Sequence, residues 1–170
     1  MSTILSNPNG AHVVVSDYRT GRDADGIPIV VNNQTIESWR ADAAILAGQA
    51  LMFVAPTATV PISVSPMTAA ISGTDPWTFA GVALEGAAAG DMVRVGTAGV
   101  FEILFDTSDT AAFASIINLP GTTTGEFDIA LAPVDDVTSV GLCFGPEIGT
   151  EDKCLALINR AGIAVPDEWA

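Results

Sequence analysis

The residues with most chemical reach in this 170-residue sequence are few: a single histidine, His12, two cysteines, Cys143 and Cys154, and three tryptophans, Trp39, Trp77 and Trp169. A serine–histidine–aspartate site is a spatial arrangement without fixed order. His12, however, borders a polar arm, and no glycine–X–serine–X–glycine elbow is present to raise a nucleophile, so a strand-edge histidine is the plainer assignment. A zinc centre would need His12, Cys143 and Cys154 together with an acid, at a spacing unlike the close ligand pairs of zinc sites. Asp23-Ala24-Asp25-Gly26 opens like a calcium loop. It lacks a third acid before the glycine, and the twelfth position from Asp23 holds Gln34 instead of glutamate; a turn tied by aspartate side chains fits better. Asp135-Asp136 and Glu151-Asp152 pair carboxylates as acid–base catalysis would, but adjacent acids in a loop or a first helical turn are normally solvated. Gly86, Gly90, Gly96 and Gly99 spell neither a dinucleotide fingerprint nor a P-loop. Tryptophans can stack sugars, yet scattered through a β domain they more often anchor a core or an interface. The expectation is a chain that is not an enzyme, with no catalytic, cofactor-binding or metal residue.

Charge narrows the partners. Twenty acids stand against five arginines and one lysine, Lys153, a net charge of −14. Phosphate backbones and anionic lipid surfaces both need clustered cations, so nucleic acid and membrane surfaces are excluded as partners. The acids are dispersed, which serves solubility or contact with a basic partner patch. Hydrophobic residues make up 49% and charged residues 15%, with mean hydropathy +0.44. Low charge with many small apolar residues points to an exterior partly covered in an assembly. The most apolar window, residues 43–55, is broken by Gly48 and Gln49 and is too short for a membrane span. The first residues lack a basic region and a long apolar run, so no secretory signal is expected and the sequon at Asn33-Gln34-Thr35 should be silent. Cys143 and Cys154 read as reduced core thiols of a chain made in the cytosol, with a bridge between them as the other arrangement.

The elements that would position these residues are mostly strands. Residues 1–11 form an extended arm. A β domain spans 12–133, and residues 134–170 form an extension packed on the same domain. Short strands are expected at 12–15, 27–31, 51–54 and 60–64; Pro61 places the last at an edge. Residues 35–44 suit either a short helix around Trp39 or an extended segment, and 72–76 read as a turn. Residues 92–95 and 100–105 read as a hairpin across Gly96-Thr97-Ala98-Gly99, with Phe101, Ile103 and Phe105 on one face. Ser108 and Asp109 have the chemistry of a helix start, with the helix continuing to Ile117. Alternation returns at Phe127, Ile129 and Leu131 and at Val140, Leu142 and Phe144. A second helix is expected from Thr150, with Cys154, Leu155 and Ile158 as its stripe and Gly162 as its stop. The fold class is mainly β, a small β-barrel or β-clip-like domain with two short helices.

One pattern occurs twice: AGQALMFV at 47–54 and AGDMVRVG at 89–96, each an Ala-Gly pair, one polar residue and an apolar strand. Glycine there supplies a turn that enters a strand. Residues 81–101, GVALEGAAAGDMVRVGTAGVF, are rich in β signals and poor in reactive side chains. With AGQALMFV they resemble the head decoration, or capsid cement, proteins of tailed bacteriophages. The features that carry the likeness are Gly81-Val82-Ala83-Leu84, Ala87-Ala88-Ala89-Gly90, the valines of 93–95 and Gly99-Val100-Phe101, within a core of residues 43–105. The resemblance implies a compact β fold and a homotrimer on the outer surface of the virion capsid, made in the host cytoplasm. It implies the major capsid protein as partner, a mechanical role and no cofactor. Candidate interface residues are Ser2, Thr3, Ile4, Leu5, Asn7 and Pro8 of the arm, which could add a strand to a capsid sheet edge, together with Trp77. The alternative is a carbohydrate-binding or host-attachment module on a virion surface.

Overall fold

The computed structural model describes residues 5–6, 13–14, 20–22, 28–30, 34–130, 139–144 and 152–160. Within these the chain is mainly β. Two short antiparallel pairs come first: β1 (Leu5–Ser6) with β2 (Val13–Val14), and β3 (Thr20–Arg22) with β4 (Pro28–Val30). One nine-stranded antiparallel sheet follows. Its strands are β5 (Thr35–Arg40), β6 (Ala50–Val54), β7 (Ser63–Pro66), β8 (Phe79–Ala83), β9 (Met92–Leu104), β10 (Ile116–Asn118), β11 (Asp128–Ala130), β12 (Ser139–Cys143) and β13 (Lys153–Asn159). The path runs β11-β10-β12-β13-β9-β8-β6-β7, with β5 on β9.

The spine is β9, and here the expected hairpin is replaced by one thirteen-residue strand. Residues 96–99 mark a change of neighbours. Ahead of them β9 lies between β5 and β8; beyond them it lies beside β13, which pairs from Ala98 to Leu104. The glycines serve close approach here instead of a turn. A Cβ on Gly96 would sit 2.6 Å from the Phe101 ring, and one on Gly81 would strike the Gly96 carbonyl across the β8–β9 pair. Phe101, Ile103 and Phe105 do face inward together, all buried, as their alternation required.

The sheet curls back on itself at both ends. A parallel bridge between Ala41 and Val64, with the Asp42 amide donating to the Val64 carbonyl at 2.8 Å, brings the end of β5 to β7. A second bridge, Phe105 to Phe127, brings the end of β9 to the start of β11. Each curl wraps its own core. The first holds Leu51, Val64, Val93 and Val95 with Ala41, Ala80 and Ala83. The second is aromatic, with Phe79, Phe101, Phe105 and Phe127, and the rings of Phe79 and Phe127 meet edge to face at 6.0 Å. All five residues of β8 are buried. The strand contributes Ala80 and Ala83 to one core and Phe79 and Val82 to the other, the pattern of a strand covered on both faces.

The repeated Ala-Gly pattern has a structural counterpart. Gly48 and Gly90 both take positive φ, +87° and +95°, in turns that enter β6 and β9. The two arches interlock through matching hydrogen bonds 42 positions apart. The Ala41 amide donates to Asp91 O, as Ala83 does to Gln49 O. The Gly90 amide donates to Ala41 O, as Gly48 does to Ala83 O. Ile45 and Ala87 exchange both bonds. The strand pairs follow: Arg40 faces Met92 as Val82 faces Ala50. The first curl is thus built from two copies of one unit, each pairing with the other across a local dyad.

Neither expected helix forms. Residues 108–115 are turn and loop leading into β10, and residues 153–159 are strand β13. The Ser108 hydroxyl does not cap a helix; it donates to Asp106 Oδ1 at 2.7 Å, and Ala114 breaks any helical course at φ +67°. In β13 burial alternates with period two: Cys154, Ala156 and Ile158 are inside and Leu155 is outside, so the supposed helical stripe divides between two faces. The helix that does form, α1 (Ala69–Thr74), stands where a turn was expected; Thr68 caps it by accepting from the Ile71 amide at 3.3 Å. The segment at 35–44, open between helix and strand, enters the sheet as β5. β7 is an end strand, as Pro61 indicated, but it begins at Ser63, after that proline.

Candidate partner interface

The sequence offered the arm and Trp77 as interface. Ser2, Thr3, Ile4, Asn7 and Pro8 lie outside the described residues, and Leu5 is placed by its backbone, opposite Val14. Trp77 sits in a 3-10 turn (Pro76–Thr78) and is 74% exposed, a large apolar surface without cover. His12, Asp135-Asp136, Glu151, Trp169 and the acidic turn at 23–26 lie outside the described residues. Among the described residues no group of three or more His, Cys, Asp or Glu could hold a metal ion.

The two cysteines come together on neighbouring strands, both buried and both free thiols. Burial pushes the Cys154 thiol well above its ordinary range, and the adjacent Cys143 adds to the shift. A thiol so hard to ionise is a poor nucleophile and packs as a small apolar group.

Acids gather at the mouth of the second curl. Asp106 accepts from the Ser108 amide at 2.9 Å, the Ser108 hydroxyl and, at 2.7 Å, the Thr123 hydroxyl. The Thr123 and Ser108 bonds hold its carboxyl below the ordinary range. Asp109 accepts from the Ile129 amide at 2.7 Å. Asp128 goes the other way: burial raises its pKa, against a bond from the Gly121 amide, and its Oδ1 is buried with no hydrogen-bond partner. Glu126 is raised as well, by burial first and then by Asp106 and Asp152. These groups stitch loops to β11. On the far side Arg160 grips Glu37 with two bonds, 2.8 and 3.0 Å, while Trp39 Nε1 donates to the same carboxylate at 2.9 Å. This clasp ties the end of β13 to β5.

The outward face is where the structure adds to the sequence reading. Leu155, Phe144 and Phe113 project from β13 and the loops around β12, with exposures of 45%, 42% and 77%. The Phe144 amide donates to the Leu155 carbonyl, and Ala114, next to Phe113, donates to the Cys143 carbonyl. Beside Leu155 opens a depression of about 290 Å³ walled by Ala47, Gly48, Leu84, Val100 and Glu102. Leu46, next to its wall, is 63% exposed. The strand alternation of residues 153–159 could have found Leu155, had the Thr150 capping signal not pointed to a helix.

No protein-family model matches the chain, and no curated protein matches it. Among solved structures it is similar to the head fiber gp8.5 N base of bacteriophage phi29. Identity is 13%, over 78% of this chain and 99% of that one, with a TM-score of 0.49. At that identity and score the likeness assigns neither family nor role.

Proposed function

We propose that this chain is a structural virion protein of a bacteriophage, a homotrimer that decorates the outer capsid surface and stabilises it by binding the major capsid protein. The observation that carries the reading is the resemblance at residues 43–105. That segment contains most of the two interlocked arches, a backbone-bonded unit closed over an aliphatic core. Such a unit suits a mechanical staple, whose work is to hold neighbours in place. The acidic exterior keeps it from packaged DNA and suits a basic patch on the shell. Exposed Leu46, Phe113, Trp77 and Leu155 are the apolar side chains that capsid and trimer contacts would cover. In this reading the arm at residues 2–10 adds a strand to a capsid sheet edge, with Ile4 and Leu5 setting the register.

The test is co-sedimentation of the purified chain with expanded, undecorated capsids, alongside light scattering of the free protein. Saturable pelleting with capsids and a trimer mass are expected. A chain that stays in the supernatant overturns the role, and a monomer at high concentration overturns the trimer. The glycan-binding alternative has exposed Trp77 in its favour, but among the described residues lining the depression beside Leu155 the one ring is the buried Phe101, and no tryptophan is there to stack a sugar.

A further inference from the structure

The sheet of the second curl is apolar on both of its faces. Residues directly opposite one another on paired strands share a face. Inside, Cys143 pairs with Ala156 and Ala156 with Phe101, all three in the aromatic core. The alternate residues form a second row on the outside. Ala130 faces Ile116, Ile116 faces Leu142, Leu142 faces Leu157 and Leu157 faces Val100, so one apolar row crosses five strands from β11 to β9. Two residues along β13 stands exposed Leu155, and beside it exposed Phe144, whose amide donates to the Leu155 carbonyl at 2.8 Å. The strands responsible are apolar without alternation, at Val140-Gly141-Leu142-Cys143-Phe144 and Cys154-Leu155-Ala156-Leu157-Ile158. Runs of that kind belong to strands covered on both faces. Strand β8 has a core on each side; β12 and β13 have a core on one side and this row on the other.

We propose that the outward face of β12 and β13 is where a second copy of this chain docks, with Leu155 at the centre of the contact. Charge and area favour a copy over the shell. The chain carries −14 overall, and Asp106, Asp109, Glu126 and Asp128 gather at the rim of the second curl. A basic patch on a capsid is drawn to such acids. The surroundings of Leu155 are neutral by comparison. Glu102, its cross-strand partner, and Lys153, two residues along β13, pair at 3.6 Å and cancel. Like-charged copies meet at least cost across a neutral surface, and contacts between copies are more apolar than contacts between different proteins. Phe113, Phe144 and Leu155 together expose on the order of 300 Å². That is over a third of the about 800 Å² per partner that a specific contact buries. The row through Leu142, Leu157 and Val100, half-buried, continues the same surface. This inference rests on the reading of the chain as a virion protein made of several copies, and assigns the surface through which the copies meet.

The experiment is light scattering of the full chain and of Leu155→Lys over a concentration series. Leu155→Lys should weaken association about tenfold or more. Association of the parent chain should tighten severalfold between about 50 and about 500 mM salt, because screening removes the repulsion between acidic copies. A Leu155→Lys chain with the parent's oligomeric mass overturns the face and leaves the trimer standing. Association that salt weakens also overturns it, since charge pairs would then hold the copies. A second readout does not depend on the lysine variant. Phe144 is replaced by the photo-crosslinker benzoylphenylalanine, and chains of light and heavy nitrogen are mixed before irradiation. Crosslinks that join light to heavy chains are expected. Crosslinks confined within one chain overturn the proposal, because they show the chain's own residues covering the face; an absence of crosslinks overturns it too. Capsid co-sedimentation separates this claim from the capsid role. Association through the face without pelleting removes the role and leaves the face. A monomeric Leu155→Lys chain that still pellets supports both. A parent chain that is monomeric at high concentration overturns the face and the trimer together, and its pelleting then decides the role alone.

Discussion

The two curls share β8 and β9 and differ in how they are closed. The first is a duplicated arch with a core of small and branched aliphatics, and its two halves satisfy each other's backbone. The second has no internal repeat, fills its centre with phenylalanines, and depends on loops tied down by acids. The comparison separates two ways of holding a curled sheet closed: by symmetry of main-chain bonds, or by bulk inside and side-chain hydrogen bonds at the rim.

The largest effect should come from the aromatic core. Phe127→Ala removes a fully buried ring that packs edge to face on Phe79 and sits at the closing bridge. Urea denaturation should show a loss of about 3–5 kcal/mol; a loss under 1 kcal/mol would mean the second curl is not held from inside. The arches come next, and they offer a paired test. Gly48→Ala and Gly90→Ala impose the same left-handed strain, about 1–2 kcal/mol each. A Cβ at Gly48 would also lie 2.8 Å from the Leu104 amide nitrogen, whereas at Gly90 the nearest atom is Arg40 Nη2 at 3.8 Å. Gly48→Ala should therefore be clearly the worse of the two, read as a lower melting temperature. Equal losses would show that the two arches are equivalent in packing as well as in bonding.

The rim acids should give smaller effects of opposite sign. Asp106 has its folded pKa lowered by Thr123 and Ser108. It stabilises the fold above its unfolded pKa, and that contribution is lost as pH falls through the folded value. Asp106→Asn should lower the melting temperature at neutral pH, and the gap from the parent should close in acid. Asp128, raised by burial, behaves inversely. Its charged form is disfavoured in the fold, so its cost appears as pH rises through the raised value and fades on acidification. Asp128→Asn should raise the melting temperature slightly at neutral pH; a fall would mean that Oδ1 has a partner worth keeping.

The same contrast explains what the sequence made legible. In the first curl the Ala-Gly repeat announced two turns entering two strands, and both are there. In the second, the alternation of Phe101, Ile103 and Phe105 was readable because nothing competed with it. Ser108 and Thr150 carried helix-start chemistry, but the hydroxyl of Ser108 was claimed by Asp106, and β13 was claimed by seven pairings with β9. Local capping signals lose to sheet pairing that only tertiary contact supplies. Gly96 and Gly99 misled for a related reason: glycine marks close approach as readily as a turn.

The account stands or falls on the capsid. Expanded, undecorated capsids of the cognate phage, scanned calorimetrically with and without the purified chain, should melt several degrees higher once the chain has saturated them. An unchanged melting temperature at saturating chain would contradict the proposal that this duplicated arch serves to hold a shell together.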